Sequence, residues 1–222
     1  MNGDCGNLKI NLVAGRIFFA FISGIVIAIS GGGSAFINRP VGASYLTMWI
    51  AYWLVQATRK RGEPSEYDKK QRWVYLTGAA YIPLLIVVPS WEYANFAGPI
   101  PRNGPWAWAG LALFACGILV LAAAMRVLGR LYTSYLGIQR EHRLVTSGVY
   151  RYIRHPGYLG EIISMFGVGL SLGSVVGLVL AVVSLLLVLV RIGHEEEMLI
   201  DKFGDEYTSY MKRTKRLIPL IY

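Results

Sequence analysis

Long apolar runs alternate with short polar connections along this chain, and the run lengths carry the first inference. Asn11 to Phe36, Trp73 to Trp91 and Trp106 to Leu128 each have the length a helix needs to cross a bilayer core of roughly 30 Å. Ala43 to Thr58 is shorter but carries no charge. Tyr158 to Val190 is too long for one crossing, and Ser171, Gly173 and Ser174 near its middle divide it into two short helices, a hairpin. The pattern predicts an all-α, polytopic helical membrane protein of about six transmembrane helices.

Two polar segments stand apart from these runs. RVLGRLYTSYLGIQREHRLVTSGVYRYIRH, from Arg126 to His155, is a loop of about thirty residues ahead of the hairpin. RIGHEEEMLIDKFGDEYTSYMKRTKRLIPLIY, after it, reads as helix through about Lys212, because Leu199, Phe203, Tyr207 and Tyr210 recur at helical spacing. A tail of this kind can lie along the membrane surface and cover the loop. Residues 1–105 therefore read as an N-terminal scaffold and 106–222 as the part that carries chemistry, within one integrated membrane domain. The breakers GGGS, Gly31 to Ser34, and GPIPRNGP, Gly98 to Pro105, fall at the outer ends of helices.

Composition agrees with a membrane chain. Of 222 residues, 55% are hydrophobic and 16% charged, and the mean hydropathy is +0.45. The net charge of +9 raises nucleic acid as a partner, but its distribution points elsewhere. Arg59, Lys60, Arg61, Lys69, Lys70 and Arg72 fill the second loop, and Arg126, Arg130, Arg140, Arg143, Arg151 and Arg154 the fourth. Lys202, Lys212, Arg213, Lys215 and Arg216 fill the tail, whereas the alternate loops hold only Arg39 and Arg102. This positive-inside bias places both termini and the basic loops in the cytoplasm. Attraction to anionic headgroups accounts for the excess charge, so membrane lipids are expected partners and no nucleic acid is needed. The first apolar stretch is longer than a signal-peptide core and reads as a helix. Cys5 and Cys116 show no disulfide or metal spacing. The six tryptophans fall mostly near span ends, where interfacial anchors belong.

The stretch GVYRYIRHPGYLG, residues 148 to 160, gathers basic and aromatic groups between two apolar segments. Proline disfavours helical geometry at the residue before it and suits the first position of a helix, so His155 should be extended and the fifth span should start at Pro156. The free N–H groups of that helix start favour an anion. Arg151, Arg154 and His155 stand there as donors, and Tyr150, Tyr152 and Tyr158 as stacking surfaces. A plain basic juxtamembrane loop with interfacial tyrosines fits the same residues. The second cluster, Arg191, His194, Glu195, Glu196 and Glu197, follows the last span. Arg191 and Glu195 share a helix face. They form either a surface pair with solvated acids around it or a site where arginine grips an anion and an acid grips a cation.

HRLVTSGVYRYIRHPGYLG, followed after the hairpin by RIGHEEEMLIDKFGDEYTSYMKRTKRLIP, resembles the isoprenylcysteine carboxyl methyltransferase family of integral membrane enzymes, over about residues 126 to 222. The resemblance implies an α-helical enzyme that uses S-adenosyl-L-methionine, held in a cytoplasmic pocket built from the 126–157 loop and the C-terminal helix. No G-x-G-x-x-G follows a strand, in keeping with a pocket that is not a Rossmann domain. By the family pattern His142, Arg143, Leu144 and Val145 line the cofactor pocket, followed by Tyr150. His155, Pro156, Gly157 and Tyr158 close around it. From the second motif, Glu195 contacts the cofactor and Arg191 the substrate carboxylate; no metal is implied. A glutamine that relatives use stands here as Tyr135. The implied substrate is lipophilic, an isoprenylcysteine-like carboxylate entering from the bilayer.

The residue types suit that chemistry. A methyl on a sulfonium is already activated, so alignment of a nucleophile is the main task. A carboxylate is ionised at neutral pH and needs an arginine to position it rather than a base. His155 and His142 then read as binding groups and His194 as helix surface. A thiol or amine acceptor would first have to lose a proton, and phospholipid N-methylation is a variant of the same reading. Gly160, Gly167, Gly169, Gly173 and Gly177 permit either close helix packing or a gap for a lipophilic substrate. Two rival classes remain. An NADPH-dependent membrane reductase of the sterol-reductase type would share the ending KRLIPLIY, but tends to carry an arginine-aspartate-glutamate cluster where this chain has Glu195, Glu196 and Glu197. A non-enzymatic membrane scaffold or transport accessory would keep the fold alone.

Overall fold

The computed structural model describes residues 4–57, 72–132 and 143–218. Among them it is all-helical. The helices are α1 (Asp4–Ser30), the single turn α2 (Ser34–Ile37), α3 (Pro40–Ala57), α4 (Arg72–Asn95), α5 (Pro105–Leu128), α6 (Pro156–Ser171), α7 (Val175–Phe203) and α8 (Asp205–Arg213). No strand is present among the described residues, only an isolated parallel bridge between Ile153 and Lys215.

Sequence punctuation sets these boundaries. Pro105 and Pro156 each stand at the first turn of a helix, where a missing N–H costs nothing. His155, just before Pro156, leaves the helical region with φ −125° and ψ 56°. Ser174 caps α7 by accepting a hydrogen bond from the Gly177 amide at 2.8 Å. The turn at 172–174 falls where Ser171, Gly173 and Ser174 predict it. The hairpin itself is uneven: α7 does not stop at Val190 but continues for 29 residues in all. Its polar second half is rigidly joined to its apolar first half. The break comes at Gly204, whose φ of +53° ends α7 and opens α8. Leu199 and Phe203 therefore lie on a different helix from Tyr207 and Tyr210.

Helices α5 and α6 pack closely against each other. A methyl at Gly117 would lie 2.6 Å from the Gly160 carbonyl, and one at Gly167 would lie 2.4 Å from the Phe114 amide. The two backbones approach closely there because the glycines carry no side chain. Gly169 and Gly177 do the same across the α6–α7 hairpin. These glycines thus serve close packing.

The N-terminal helices assemble around an aromatic core of Phe36, Tyr45, Trp49, Tyr93 and Phe114. Trp49 is buried there, its Nε1 donating to Ser23 Oγ at 2.9 Å, so it is a core residue and no interfacial anchor. Trp91, Trp106 and Trp108 near helix ends are exposed. Arg16 on α1 donates to the Gln56 carbonyl at 2.8 Å and so holds the end of α3. At the opposite end, the Glu92 carboxylate accepts from Ser174 Oγ and from the amides of Val175 (3.2 Å) and Val176 (3.1 Å). An anion at a helix N-terminus ties α4 to the start of α7.

The outside of the bundle is apolar. Phe18, Phe21, Ile29, Leu119, Val179 and Leu186 are all exposed, far more apolar surface than a soluble monomer presents. Among the described residues, Pro105–Leu131 and Val175–Phe203 are each long and apolar enough to cross a membrane, and Gly15–Ser30 is a shorter apolar helix.

Close backbone packing makes Gly167 intolerant of a side chain. Gly167→Leu is expected to abolish the monodisperse peak in detergent gel filtration. Gly15→Ala, where nothing lies within 4 Å, should elute as wild type.

Candidate active site

A loop cannot hold a cavity open by itself, and here the tail holds it. Residues 148–151 form a single 3-10 turn after Gly148, whose φ of +58° suits glycine. The chain then runs beside residues 214–216. Arg154 N donates to the Lys215 carbonyl (2.8 Å), His155 N to the Arg216 carbonyl (3.1 Å), and Lys215 N to the Tyr152 carbonyl (3.2 Å).

The side chains converge on Glu196. Its Oε1 accepts from Arg154 Nε at 2.7 Å and from His155 Nε2 at 3.2 Å, and its Oε2 accepts from Arg216 Nε at 2.8 Å. Arg154 also donates to the Thr214 carbonyl at 2.6 Å and the Met211 carbonyl at 3.3 Å. Glu196 is only 2% exposed. It lies past the apolar stretch of α7. Burial pushes its carboxyl up, but the donors from His155, Arg154 and Arg216 outweigh burial and bring it down to about 2. Arg154 therefore spends its guanidinium on the fold.

Above this hub lies a cavity with walls from five parts of the chain. Leu128, Leu131 and Tyr132 come from the end of α5 and the turn after it. Arg143, Leu144, Val145 and Tyr150 come from the loop, and His155, Gly157 and Tyr158 from the start of α6. Glu195, Met198 and Leu199 come from α7, and Tyr207 and Tyr210 from α8. Tyr210 donates its hydroxyl to the Tyr150 carbonyl, pinning α8 to the loop. The Tyr207 hydroxyl is buried at the wall with no hydrogen-bond partner among the described residues. Tyr158 donates to Glu195 Oε2 at 2.7 Å, its ring stacks on His155 with centroids 5.8 Å apart, and the Arg191 guanidinium lies 5.4 Å from its ring centre.

The expected site residues thus come together for the most part. Arg143, Leu144, Val145, Tyr150, His155, Gly157, Tyr158 and Glu195 line one cavity. Pro156 is buried at the start of α6 and Arg191 packs on Tyr158, neither of them lining the cavity. His142 and Tyr135 lie outside the described residues. Arg151 and Tyr152 are exposed and do not line it, so the donors and stacking surfaces of the basic stretch are fewer than its composition offers. Glu196 is the residue that composition hid among three consecutive acids. Its signal was periodicity: it lies four residues after Ile192, which is fully buried.

Comparison with known proteins bears on this geometry. The phospholipid methyltransferase family model matches residues 106–206. The protein-S-isoprenylcysteine O-methyltransferase of Schizosaccharomyces pombe is 34% identical over 116 residues, 51% of this chain and 49% of that protein. Methanethiol S-methyltransferase 1 of Bradyrhizobium diazoefficiens is 39% identical over 77 residues, 35% of this chain and 26% of that protein. A solved structure of a eukaryotic intramembrane Ras methyltransferase, isoprenylcysteine carboxyl methyltransferase, aligns over 100% of this chain and 88% of that one. Its TM-score of 0.58 at 17% identity shows a shared fold. The chain spans about half the length of the first two isoprenylcysteine methyltransferases it matches.

The hub makes two expectations. Removing a buried, paired carboxylate costs on the order of 3–5 kcal/mol, so Glu196→Ala should melt well below wild type in detergent, whereas Glu197→Ala, at a side chain 76% exposed, should not. The second concerns acid. Because the folded-state value of Glu196 is depressed, its contribution is complete above about 4.5 and is lost as pH falls from there toward about 2. A melting-temperature series over that window should show this loss in wild type and a flatter profile in Glu196→Gln.

Proposed function

We propose that the chain is a membrane-embedded, S-adenosyl-L-methionine-dependent methyltransferase acting on a lipophilic acceptor, with an isoprenylcysteine-like carboxylate as the acceptor class. The observation that carries this reading is the cavity that gathers residues 143–145, Tyr150, His155, Gly157, Tyr158 and Glu195 from distant segments, with Arg191 adjoining through Tyr158.

The residues present suit that cofactor. Tyr150, Tyr210, Met198 and Leu199 offer aromatic and apolar walls for a flat base. Glu195 places a carboxylate at the cavity, the right sign for a sulfonium or ammonium, and the buried Tyr207 hydroxyl is a hydrogen-bonding group at the wall that has no partner among the described residues. His142 would complete the cofactor side in the family pattern, in which Tyr135 replaces a glutamine. When bound, the cofactor supplies a methyl group on a positively charged sulfur. The chain's own residues bind, orient and exclude water: Arg191 holds the acceptor carboxylate with its planar fork, and the apolar walls keep the site dry. No side chain has to take a proton from an acceptor that is already ionised.

Residues 1–105 act in this reading as the scaffold and 106–222 as the catalytic part. The six helices α1, α3, α4, α5, α6 and α7 cross the bilayer, with both termini and the cofactor pocket on the cytoplasmic side. The basic loops and tail support that orientation. A prenylated or lipophilic substrate then arrives from the bilayer. A thiol acceptor is the second reading, favoured by the likeness to a methanethiol S-methyltransferase.

Calorimetry on detergent-purified protein tests the reading. S-adenosylhomocysteine should bind and NADPH should not; the reverse result makes the protein a reductase. Arg191→Lys keeps the charge but loses the planar fork, so kcat/KM for N-acetyl-S-farnesylcysteine should fall about tenfold or more while the affinity for S-adenosylhomocysteine is unchanged. Equal loss of both would place Arg191 on the cofactor side.

A further inference from the structure

Arg39 and Arg102, the two cations of the alternate loops, meet on one side chain. Arg39 comes just before α3 and Arg102 just before α5, yet their guanidinium carbons lie 5.6 Å and 5.4 Å from the centre of the Tyr93 ring, near the end of α4. The two charges are thus no more than about 11 Å apart. The 24 residues of α5, about 36 Å of helix, separate them from the cofactor cavity. Their seat is fixed. Tyr93 is buried, its ring packs edge-on with Phe36 at a centroid distance of 5.2 Å, and its hydroxyl donates to Asn103 Oδ1 at 3.1 Å. Arg39 makes one long hydrogen bond, 3.4 Å to the Tyr93 hydroxyl, and Arg102 makes one of 3.3 Å to the Glu92 carbonyl. Neither guanidinium has an acidic partner among the described residues. The Glu92 carboxylate is held by Ser174 and by the amides of Val175 and Val176. Like charges at this range repel, and the face of one ring offsets only part of that repulsion. Exposed Trp91, Phe96, Trp106 and Trp108 stand at the same helix ends, marking the depth at which lipid headgroups lie.

We propose that Arg39 and Arg102 form a binding site for the phosphate of an anionic phospholipid, at the end of the bundle away from the cofactor cavity. The inference needs the bundle to cross a bilayer and is independent of the methyltransferase reading. A phosphodiester accepts the parallel N–H pairs that a guanidinium presents, and most of those donors are uncommitted here. The acyl chains then lie along the apolar surface beside it, where Ile37 and Phe96 are exposed. A headgroup with net negative charge is favoured over a zwitterionic one. The site holds two cations, and its one neighbouring acid, Glu92, is already committed to the start of α7. A single bound headgroup would join the approaches to α3 and α5 to the end of α4.

Native mass spectrometry from detergent tests the site, with dioleoylphosphatidylglycerol and dioleoylphosphatidylcholine added at equal concentration. The wild type should take up phosphatidylglycerol first. Arg39→Gln/Arg102→Gln should weaken that binding by at least about tenfold, the loss expected for charge-assisted hydrogen bonds. Lys212→Gln/Arg213→Gln removes the same charge from exposed positions at the other end and should leave the binding unchanged. Each single substitution, Arg39→Gln or Arg102→Gln, should lose part of the affinity, which keeps the test readable if the pair folds poorly. Melting temperatures without lipid report on that. Equal weakening in the two double variants means diffuse attraction between charges and overturns the proposal. So does equal uptake of both lipids by the wild type, or undiminished binding in Arg39→Gln/Arg102→Gln. Displacement of the lipid by inorganic phosphate at matching concentration would make this a site for a soluble anion, and also overturns it. S-adenosylhomocysteine binding, measured separately, bears on the methyltransferase reading alone, so either conclusion can fail without the other.

Discussion

A single buried carboxylate holds the functional end of this molecule together. Glu196 sits on α7 and accepts from Arg154 and His155 of the loop and from Arg216 of the tail. These groups are 20 to 42 residues away in sequence from the acid they meet. A buried charge is tolerated only when it is paired and hydrogen-bonded, so none of the three segments can leave without stranding the others. The backbone pairing of residues 152–155 with 215–216 and the pinning of α8 by Tyr210 follow from that convergence. The cavity is the space that remains above it.

That arrangement also fixes where the site stands relative to the apolar bundle. The unbroken course of α7 carries Arg191, Glu195 and Glu196 on a helix that as a whole is long and apolar enough to cross a membrane. α6 starts beside them at Pro156 and is locked to α5 by direct backbone contact at Gly117, Gly160 and Gly167. The α5–α6 pair and the α7 rod thus form a rigid frame. The loop and tail are draped over one end of it. Rigid elements supply the acid and the arginine, and irregular chain supplies the walls, a division that suits a pocket which must admit one ligand and still orient another.

Much of this was legible in the residues. Run length placed the helices, and Pro105, Pro156 and the turn residues at 171–174 marked the starts of α5 and α6 and the turn into α7, whereas the run read as Asn11 to Phe36 divides into α1, ending at Ser30, and the turn α2. The motif residues Arg143 to Val145, Tyr150, His155, Gly157, Tyr158 and Glu195 do share a cavity. What could not be read was commitment. Arg151, Arg154 and Arg191 are the same residue type in similar neighbourhoods, yet one is exposed, one is spent on Glu196 and the tail carbonyls, and one lies on a tyrosine ring. Likewise three consecutive acids differ only in helical phase: Glu197 is exposed, Glu195 reaches the cavity, and Glu196 is buried. Phase relative to Ile192 would have separated them, but the partners that make burial tolerable come from segments remote in sequence. Tyr207 and Tyr210 belong to a tail that can cover the loop, and Tyr210 does bond to the Tyr150 carbonyl; spacing did not reveal the break at Gly204 that puts both on a separate helix.

The central claim is that the tail and the loop are one cooperative unit joined through Glu196. Amide hydrogen exchange by mass spectrometry in detergent measures this directly, comparing wild type with Glu196→Gln. The account predicts that residues 152–155 and 205–216 share one protection level in wild type and lose it together in the variant, while α5 and α6 keep theirs. Loss in one segment alone, or unchanged protection in both, would contradict it.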